Sequence, residues 1–244
     1  MKRIWLSIAA IAFLGASNVH AAECQKTEWE GVPMIACEVD VSTADLRLFH
    51  STDQGKLLGQ FSAVNELAKT EGKSLTFAMN AGMYHKDRAP VGLYVEKGEE
   101  QARLVTNKGP GNFGLLPNGV FCIQPDRVDV IESRTFARSR PNCEFASQSG
   151  PMLVINGALH PRFLENSTSL YTRNGVGTSR DGKKAVFVIA DAPVNFHRFA
   201  RYFRDVLKTP NALYFDGNIS KLWWPAGRRR DFGFTMGPIV GAFE

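Results

Sequence analysis

The residues best suited to chemistry stand where apolar runs of the sequence end. Asp216 comes directly after the apolar run 212–215, and Asn80 comes directly after a second, mostly apolar run, 74–79. Asp216 is followed by small or polar residues, namely Gly217, Asn218 and Ser220. A carboxylate can serve as a nucleophile, a general base or a cation ligand, and an amide offers both donors and an acceptor. Both stretches are also typical of turns, so the residue pattern alone leaves a catalytic and a structural role open.

Two other patterns are weak indications of a nucleotide site or a serine hydrolase. The stretch GPGNFG at 109–114 matches G-x-G-x-x-G, but turn-forming residues follow it where a dinucleotide site needs a helix. Pro110 within it also lacks the backbone N–H that would donate to a phosphate. The stretch SQSGP at 147–151 lacks the glycine spacing of a nucleophile elbow. We therefore reject the nucleotide site, while pairing of Ser149 with a distant histidine remains a weaker alternative.

Six stretches, taken together, resemble the phosphodiester glycosidase family. In chain order they are NAGMY (80–84), PVGLYVEKGE (90–99), NFGLLPNGVF (112–121), QSGPMLVINGALH (148–160), RNGVG (173–177) and LYFDGNIS (213–220). The resemblance is closest to exported bacterial members, and it implies an α+β fold, a cleft at strand ends and hydrolysis of a sugar-1-phosphodiester. One departure is Asn218, because the family commonly has a second glycine after Asp-Gly.

The resemblance makes Asp216, Asn80 and Arg173 the predicted catalytic residues. Asp216 would act as nucleophile or general base, and the guanidinium of Arg173 would hold the phosphate in a bidentate fork. Glycines at strand ends would offer backbone N–H groups to phosphate or sugar oxygens, and a histidine would be a candidate proton donor. The predicted substrate-binding residues are Gly82, His85, Ser149, Gly150, Gly217, Asn218 and Ser220.

The chemistry of the predicted site leaves two routes and two functions open. Attack at the anomeric carbon would follow a glycosidase mechanism, for which a second acid or base is expected. Attack at phosphorus would instead use Asp216 to activate water or to hold a metal. We predict no required cofactor and no metal site, although a divalent cation could bind to scattered oxygen ligands: Asp181, Asp191, Asp216 and Asn218. The alternative function is a non-catalytic envelope module that binds phosphorylated glycans.

Mostly β-strands must position these residues. The pattern predicts strands at 45–50, 74–79, 92–96, 152–155, 185–190 and 212–215, with a hairpin turn at Asn156-Gly157. It predicts one helix over 62–70, with Ser62 as N-cap and Gly72 beyond its end, and a second over 195–208, with Asn195 as N-cap. Many strands and few helices, not strictly alternating, predict a single α+β domain with mixed β-sheets.

The N-terminal sequence predicts export. Lys2 and Arg3 precede an apolar stretch at 4–15, and small residues follow near Ala21, as in a cleavable signal peptide over 1–21. The stretch is shorter than the ~20 residues that span a bilayer, so we expect no stable membrane span after cleavage. The domain would then occupy 22–244, and its location would be periplasmic or secreted.

Charge and cysteine content narrow the partners and the compartment. The chain carries a net charge of +5, and loss of Lys2 and Arg3 would leave +3, which does not favour a nucleic-acid partner. A small-molecule or glycan phosphodiester is the predicted substrate. An even number of cysteines in an exported protein predicts two disulfides, and we favour the local pairs Cys24–Cys37 and Cys122–Cys143.

Overall fold

The computed structural model describes residues 21–216 and 219–244. The predicted signal peptide except Ala21, and the predicted binding residues Gly217 and Asn218, lie outside the described residues. The strands, in chain order, are β1 (Glu23–Trp29), β2 (Val32–Asp40), β3 (Asp45–Phe49), β4 (Leu75–Asn80), β5 (Tyr94–Glu96), β6 (Glu99–Ala102), β7 (Gly119–Gln124), β8 (Arg127–Glu132), β9 (Phe145–Ser149), β10 (Met152–Ile155), β11 (Ala158–Leu159), β12 (Asn174–Thr178), β13 (Lys184–Ala190), β14 (Asn211–Tyr214), β15 (Leu222–Trp224), β16 (Arg229–Arg230) and β17 (Ile239–Phe243). The helices are α1 (Phe61–Thr70), α2 (Ser133–Ser139) and α3 (Phe196–Arg201).

The strands form three sheets. The first has the order β1-β2-β13-β12-β14-β10-β11, the second β16-β15-β4-β17-β3, and the third β6-β5-β9-β7-β8. Strand pairs are antiparallel throughout these three sheets. The predicted α+β class is confirmed, and the apolar run 185–190 lies in β13, a central strand between β2 and β12 as its continuous burial predicts.

The three sheets share one core and each carries one helix on its outer face. Side chains alternate across β13, so Phe187 and Ile189 enter the shared core while Val186 and Val188 pack under α3. The helix α1 covers the second sheet, and α2 packs against the third. This arrangement brings the ends of strands from the first two sheets together at one place.

Four phenylalanine rings join the sheets at the centre of the core. Phe187 of the first sheet lies 4.9 Å from Phe77 of the second and 5.7 Å from Phe121 of the third, centroid to centroid. Phe215 contacts the same cluster, at 6.3 Å from Phe121 and 6.5 Å from Phe187. Because Phe215 directly precedes Asp216, the packing of these rings fixes where the chain leaves the core and enters the site.

The helices agree with the prediction in position but not in detail. The helix α1 begins at Phe61, and its N-cap is Gln60 rather than the predicted Ser62. Asn195 caps α3 as predicted, and its side chain accepts a hydrogen bond from the Arg198 N–H. The helix then continues as a π-helical turn over Tyr202–Val206 instead of as a regular α-helix. The short helix α2 was not predicted.

Both predicted disulfides are present. Cys24–Cys37 links β1 to β2 within the first sheet, and Cys122–Cys143 links β7 to the segment before β9. Such bonds are typical of oxidising compartments. Across the described ranges, no helix combines the length and the apolar character needed to cross a bilayer.

We predict that Phe187→Ala lowers the free energy of unfolding by about 3–5 kcal/mol, because it opens a cavity where all three sheets meet. Phe234→Ala, the same change at an exposed ring, is the control and should shift stability by less than about 0.5 kcal/mol. Urea unfolding followed by fluorescence measures both. Equal losses in the two variants would contradict a core joined at Phe187.

Candidate active site

Four chain segments converge where strands of the first two sheets end. Asn80 is the last residue of β4, Asn174 is the first of β12, and Lys221 directly precedes β15. One residue, Phe215, separates Asp216 from the end of β14. The backbone N–H of Phe215 donates to the Asn174 carbonyl at 3.1 Å. Two of the three predicted catalytic residues, Asn80 and Asp216, therefore lie on neighbouring segments although 136 positions separate them in the sequence.

Asn80 and Asn174 form a reciprocal amide pair with no exposed surface. The Asn174 Nδ2 donates to Asn80 Oδ1 at 3.0 Å and to the Asn80 carbonyl at 3.1 Å, and Asn80 Nδ2 donates to Asn174 Oδ1 at 3.4 Å. The backbone N–H of Lys221 completes the group by donating to Asn80 Oδ1 at 2.9 Å. The Asn80 amide is thus engaged within the protein, and it holds three segments together.

Two hydroxyls fix the chain around Asp216. The Ser149 Oγ donates to the Phe215 carbonyl at 3.1 Å, and the Ser220 Oγ donates to the Thr172 carbonyl at 3.1 Å. Ser149 is fully buried, and the hydrogen bond that its hydroxyl makes goes to this carbonyl, not to a histidine. This geometry gives Ser149 a structural role, and it argues against the serine-hydrolase alternative.

Arg173 lies beside this group, but its guanidinium is not arranged as predicted. The side chain has no exposed surface, and its guanidinium carbon lies 3.6 Å from the centroid of the Phe196 ring. Its Nε donates to the Val194 carbonyl at 2.7 Å and Nη2 donates to the Ser169 carbonyl at 3.0 Å. The side-on fork of Nε and Nη2 is therefore not available to phosphate, because both nitrogens already donate to backbone carbonyls.

One nitrogen of Arg173 remains without a partner. Nη1 is buried and makes no hydrogen bond to any residue that the structure describes. Burial lowers the pKa of Arg173, partly offset by the neighbouring Tyr214. Arg173 does not precede a surface turn, because Asn174 begins the fully buried strand β12.

Two tyrosines bring protonated hydroxyls close to Asp216. Burial and then the charge of Asp216 raise the pKa of Tyr84 to about 12, and Arg88 partly offsets them. Burial raises the pKa of Tyr214 to about 12 as well, where the charge of Asp216 adds to it and that of Arg173 opposes it. Both phenols therefore keep their protons at neutral pH. The Tyr84 hydroxyl is buried and has no hydrogen-bond partner among the described residues.

The predicted glycine ligands have packing roles in the structure. The Gly82 N–H donates to Ser147 Oγ at 3.1 Å, so it is not available to a ligand, and a Cβ at Gly82 would come within 2.5 Å of the Gln148 carbonyl oxygen. A Cβ at Gly150 would lie 2.6 Å from that of Asn118. Glycine is needed at both positions because neighbouring chain segments approach closely.

The remaining candidate ligands lie at the edge of the site or away from it. His85 is on an exposed turn in which its backbone N–H donates to the Ala89 carbonyl. Asp191 forms an ion pair with Arg229. Asp181 comes after the end of β12 that is far from the site. At about 3.3 Å per residue along a strand, it lies roughly 15 Å or more from Asn174, where β12 begins. Asp181 cannot share a cation with Asp216, and the described part of the chain holds no group of three His, Cys, Asp or Glu arranged for a metal.

Several site residues were missed by sequence reasoning. Tyr84 and Asn174 lie inside the family-like stretches NAGMY and RNGVG, for which the sequence predicted only Asn80, Gly82 and Arg173 as site residues. Gln148 is buried and accepts hydrogen bonds from the N–H groups of Leu93 and Val105 through its Oε1, so it ties the segment between them to β9. Nothing in the spacing of the sequence signals that contact.

Comparison with known proteins identifies the family of this chain. The family model of phosphodiester glycosidases matches residues 73–234, which include every segment of the site. The chain belongs to the phosphodiester glycosidase family. A relative from Escherichia coli strain K12, the uncharacterized protein YigE, is 34% identical over 227 residues, which are 93% of this chain and 87% of that one.

Two solved structures share the fold. One is the catalytic domain of zebrafish N-acetylglucosamine-1-phosphodiester α-N-acetylglucosaminidase, auto-inhibited by its pro-peptide, with a TM-score of 0.60 and 13% identity over 94% of this chain and 85% of that chain. The other is a hypothetical protein from Synechocystis, with a TM-score of 0.60 and 12% identity over 90% of this chain and 61% of that chain. At these identities the likeness concerns the fold alone.

We predict that Asn174→Leu destabilises the protein by about 2–5 kcal/mol, because the buried Asn80 Nδ2 and the Asn80 carbonyl lose their partner in Asn174, at about 1–3 kcal/mol for each orphaned group. The control is Asn142→Leu, the same change at an exposed asparagine. Chemical denaturation measures both variants. If Asn174→Leu is as stable as the control, the amide pair does not hold these segments.

Proposed function

We propose that the protein is an exported hydrolase that cleaves a sugar-1-phosphodiester into a free sugar and a phosphomonoester. Membership of the phosphodiester glycosidase family supports this reaction class. The zebrafish enzyme with the same fold is named for its action on an N-acetylglucosamine-1-phosphodiester, which points to the same substrate class here. The observation that carries the proposal is the position of Asp216 beside hydrogen-bond donors that have no partner in the described structure.

Those donors suit an anionic substrate. A phosphodiester carries one negative charge, and the transition state shifts charge onto the departing phosphate oxygens. The Tyr84 hydroxyl is protonated, buried and unpartnered, so it can donate to such an oxygen without first breaking another hydrogen bond. Arg173 is buried in the protein next to the site, and its charge adds positive potential there. The low dielectric of the interior strengthens its attraction for an anionic substrate even without direct contact. We therefore assign Arg173 an electrostatic role in place of a bidentate one.

Asp216 is the proposed nucleophile or general base, and Asn80 is a positioning residue. Asp216 is half-buried and follows a core phenylalanine, so its backbone is held, and its charge contributes to the raised pKa of Tyr84 and of Tyr214. Asn80 acts through Lys221 and Asn174, since its amide is committed to them. A phosphate is a stable leaving group and needs little protonation, which is consistent with a site that offers donors more than strong acids.

We predict that Asp216→Asn lowers kcat/KM by at least about 100-fold on a sugar phosphodiester with a chromogenic leaving group, because the reacting carboxylate is lost. Asp181→Asn, the same change at the far end of β12, should keep full activity. Thermal unfolding of both variants confirms that they are folded. Retained activity in Asp216→Asn would remove Asp216 from the mechanism.

Hydrolysis in ¹⁸O-labelled water extends the same assay. Label in the sugar indicates attack at the anomeric carbon, and label in the phosphomonoester indicates attack at phosphorus. Tight binding of a non-hydrolysable phosphodiester sugar with no turnover by the unmodified protein would contradict the proposal and favour a glycan-binding module.

We predict that Tyr84→Phe lowers kcat/KM by about tenfold or more without loss of stability. Removing an unpartnered buried hydroxyl relieves a desolvation cost of about 1–3 kcal/mol, whereas loss of a donor to the substrate slows the reaction. The control is Tyr94→Phe, because the Tyr94 hydroxyl donates to Glu96 Oε2 at 2.7 Å and its loss should reduce stability instead. Full activity together with reduced stability in Tyr84→Phe would show a purely structural hydroxyl.

A further inference from the structure

Two highly exposed phenyl rings lie on the loop that follows β16. Phe232 is 89% exposed and Phe234 is 79% exposed, and Arg228 and Arg230 are exposed close to them in the chain. We call these four residues the aromatic tip. Single exposed apolar side chains are common on protein surfaces. Two highly exposed phenyl rings separated by one glycine are less usual, and they form a small exposed apolar patch.

The backbone of the aromatic tip is held firmly while its rings are left outside. Gln60 Nε2 donates to the Gly233 carbonyl at 2.7 Å, and Lys221 Nζ donates to the Phe234 carbonyl at 2.6 Å. The N–H of Met236 donates to the Gly59 carbonyl at 2.9 Å just beyond the loop. The loop thus presents its rings in a fixed arrangement, which lowers the entropy lost when they are buried by a partner.

The charge of the aromatic tip is positive. Arg229 is paired with Asp231, its neighbour in the chain, and with the distant Asp191. Arg228 and Arg230 form no ion pair with any residue that the structure describes, and the Arg230 guanidinium lies over the Trp223 ring at 5.4 Å. Two cations without ion pairs among the described residues therefore precede the two exposed phenyl rings in the chain.

We propose that the aromatic tip binds an anionic phospholipid surface. Exposed aromatic rings enter the boundary between lipid headgroups and acyl chains. Neighbouring arginines bind the lipid phosphates, which lie in the headgroup layer. Trp223, half-buried under the Arg230 guanidinium, belongs to the residue type that favours this boundary. The match of cations and protruding rings favours a lipid surface over a protein groove.

The aromatic tip is also connected to the candidate active site. The backbone N–H of Lys221 bonds to Asn80 Oδ1, and its ammonium group holds the Phe234 carbonyl. A Cβ at Gly237, just after the loop, would come within 2.5 Å of the Tyr84 ring, so the loop packs against that ring. Docking of the tip would therefore bring the site close to lipid headgroups, although binding to lipid does not require the proposed hydrolysis.

Vesicle flotation tests this proposal. The protein is produced in an exporting host so that every variant carries the same processed N terminus, which mass spectrometry verifies. Binding is measured on vesicles of phosphatidylcholine alone and of phosphatidylcholine with phosphatidylglycerol. Phe232→Ser/Phe234→Ser should weaken binding to the anionic vesicles at least about tenfold, equivalent to about 1.4 kcal/mol. Arg228→Gln/Arg230→Gln should weaken it by a similar factor, and only on anionic vesicles.

The matched control is Val206→Ser, at an exposed apolar residue beside α3 on the first sheet, and it should bind as the unmodified protein does. Equal binding by the unmodified protein and the double serine variant would overturn the proposal. Indifference to the arginine changes would overturn it too. A dimer in sedimentation that the double serine variant loses would instead identify the tip as a contact between copies of this chain.

Discussion

The site depends on one polar contact, the reciprocal pair of Asn80 and Asn174 amides. Neither side chain reaches water, so each must satisfy the other or leave a donor or acceptor without compensation. That requirement fixes the end of β4 in the second sheet against the start of β12 in the first. The backbone of Lys221 and the chain before Asp216 are then held by hydrogen bonds to the same two residues. An apolar contact of equal size would allow the two strand ends to slide past each other. The directional hydrogen bonds of this amide pair do not allow it.

The electrostatics of the site combine groups that are costly to bury. Arg173 is enclosed by aromatic rings, and the contact with Phe196 at 3.6 Å recovers on the order of 2 kcal/mol of the desolvation cost. Its Nη1 and the Tyr84 hydroxyl remain without partners in the described structure. Proteins tolerate such groups chiefly where function needs them, since selection for stability alone would remove them. The uncompensated donors therefore favour a binding or catalytic role for this region.

Much of the fold could be predicted because the signals were local. The continuous apolar run in β13, the Asn156-Gly157 turn and the Asn195 cap each depend on neighbours in the sequence. The helix α2 was missed because Phe136 is its single large apolar residue and Glu132, an unusual N-cap, accepts hydrogen bonds from two of its N–H groups. The orientation of Arg173 could not be predicted, since Ser169, Val194 and Phe196 place its guanidinium only after distant segments pack.

The adjacency of Phe215 and Asp216 has a consequence for how this scaffold can diversify. The ring of Phe215 belongs to the aromatic cluster that joins the three sheets, so the acidic residue beside it cannot shift without repacking the core. The turn around His85 and the loop before Arg173 contribute no ring to that cluster. New substrate preferences should therefore arise, in natural lineages or in laboratory libraries, by variation of these two loops while the strand ends stay unchanged.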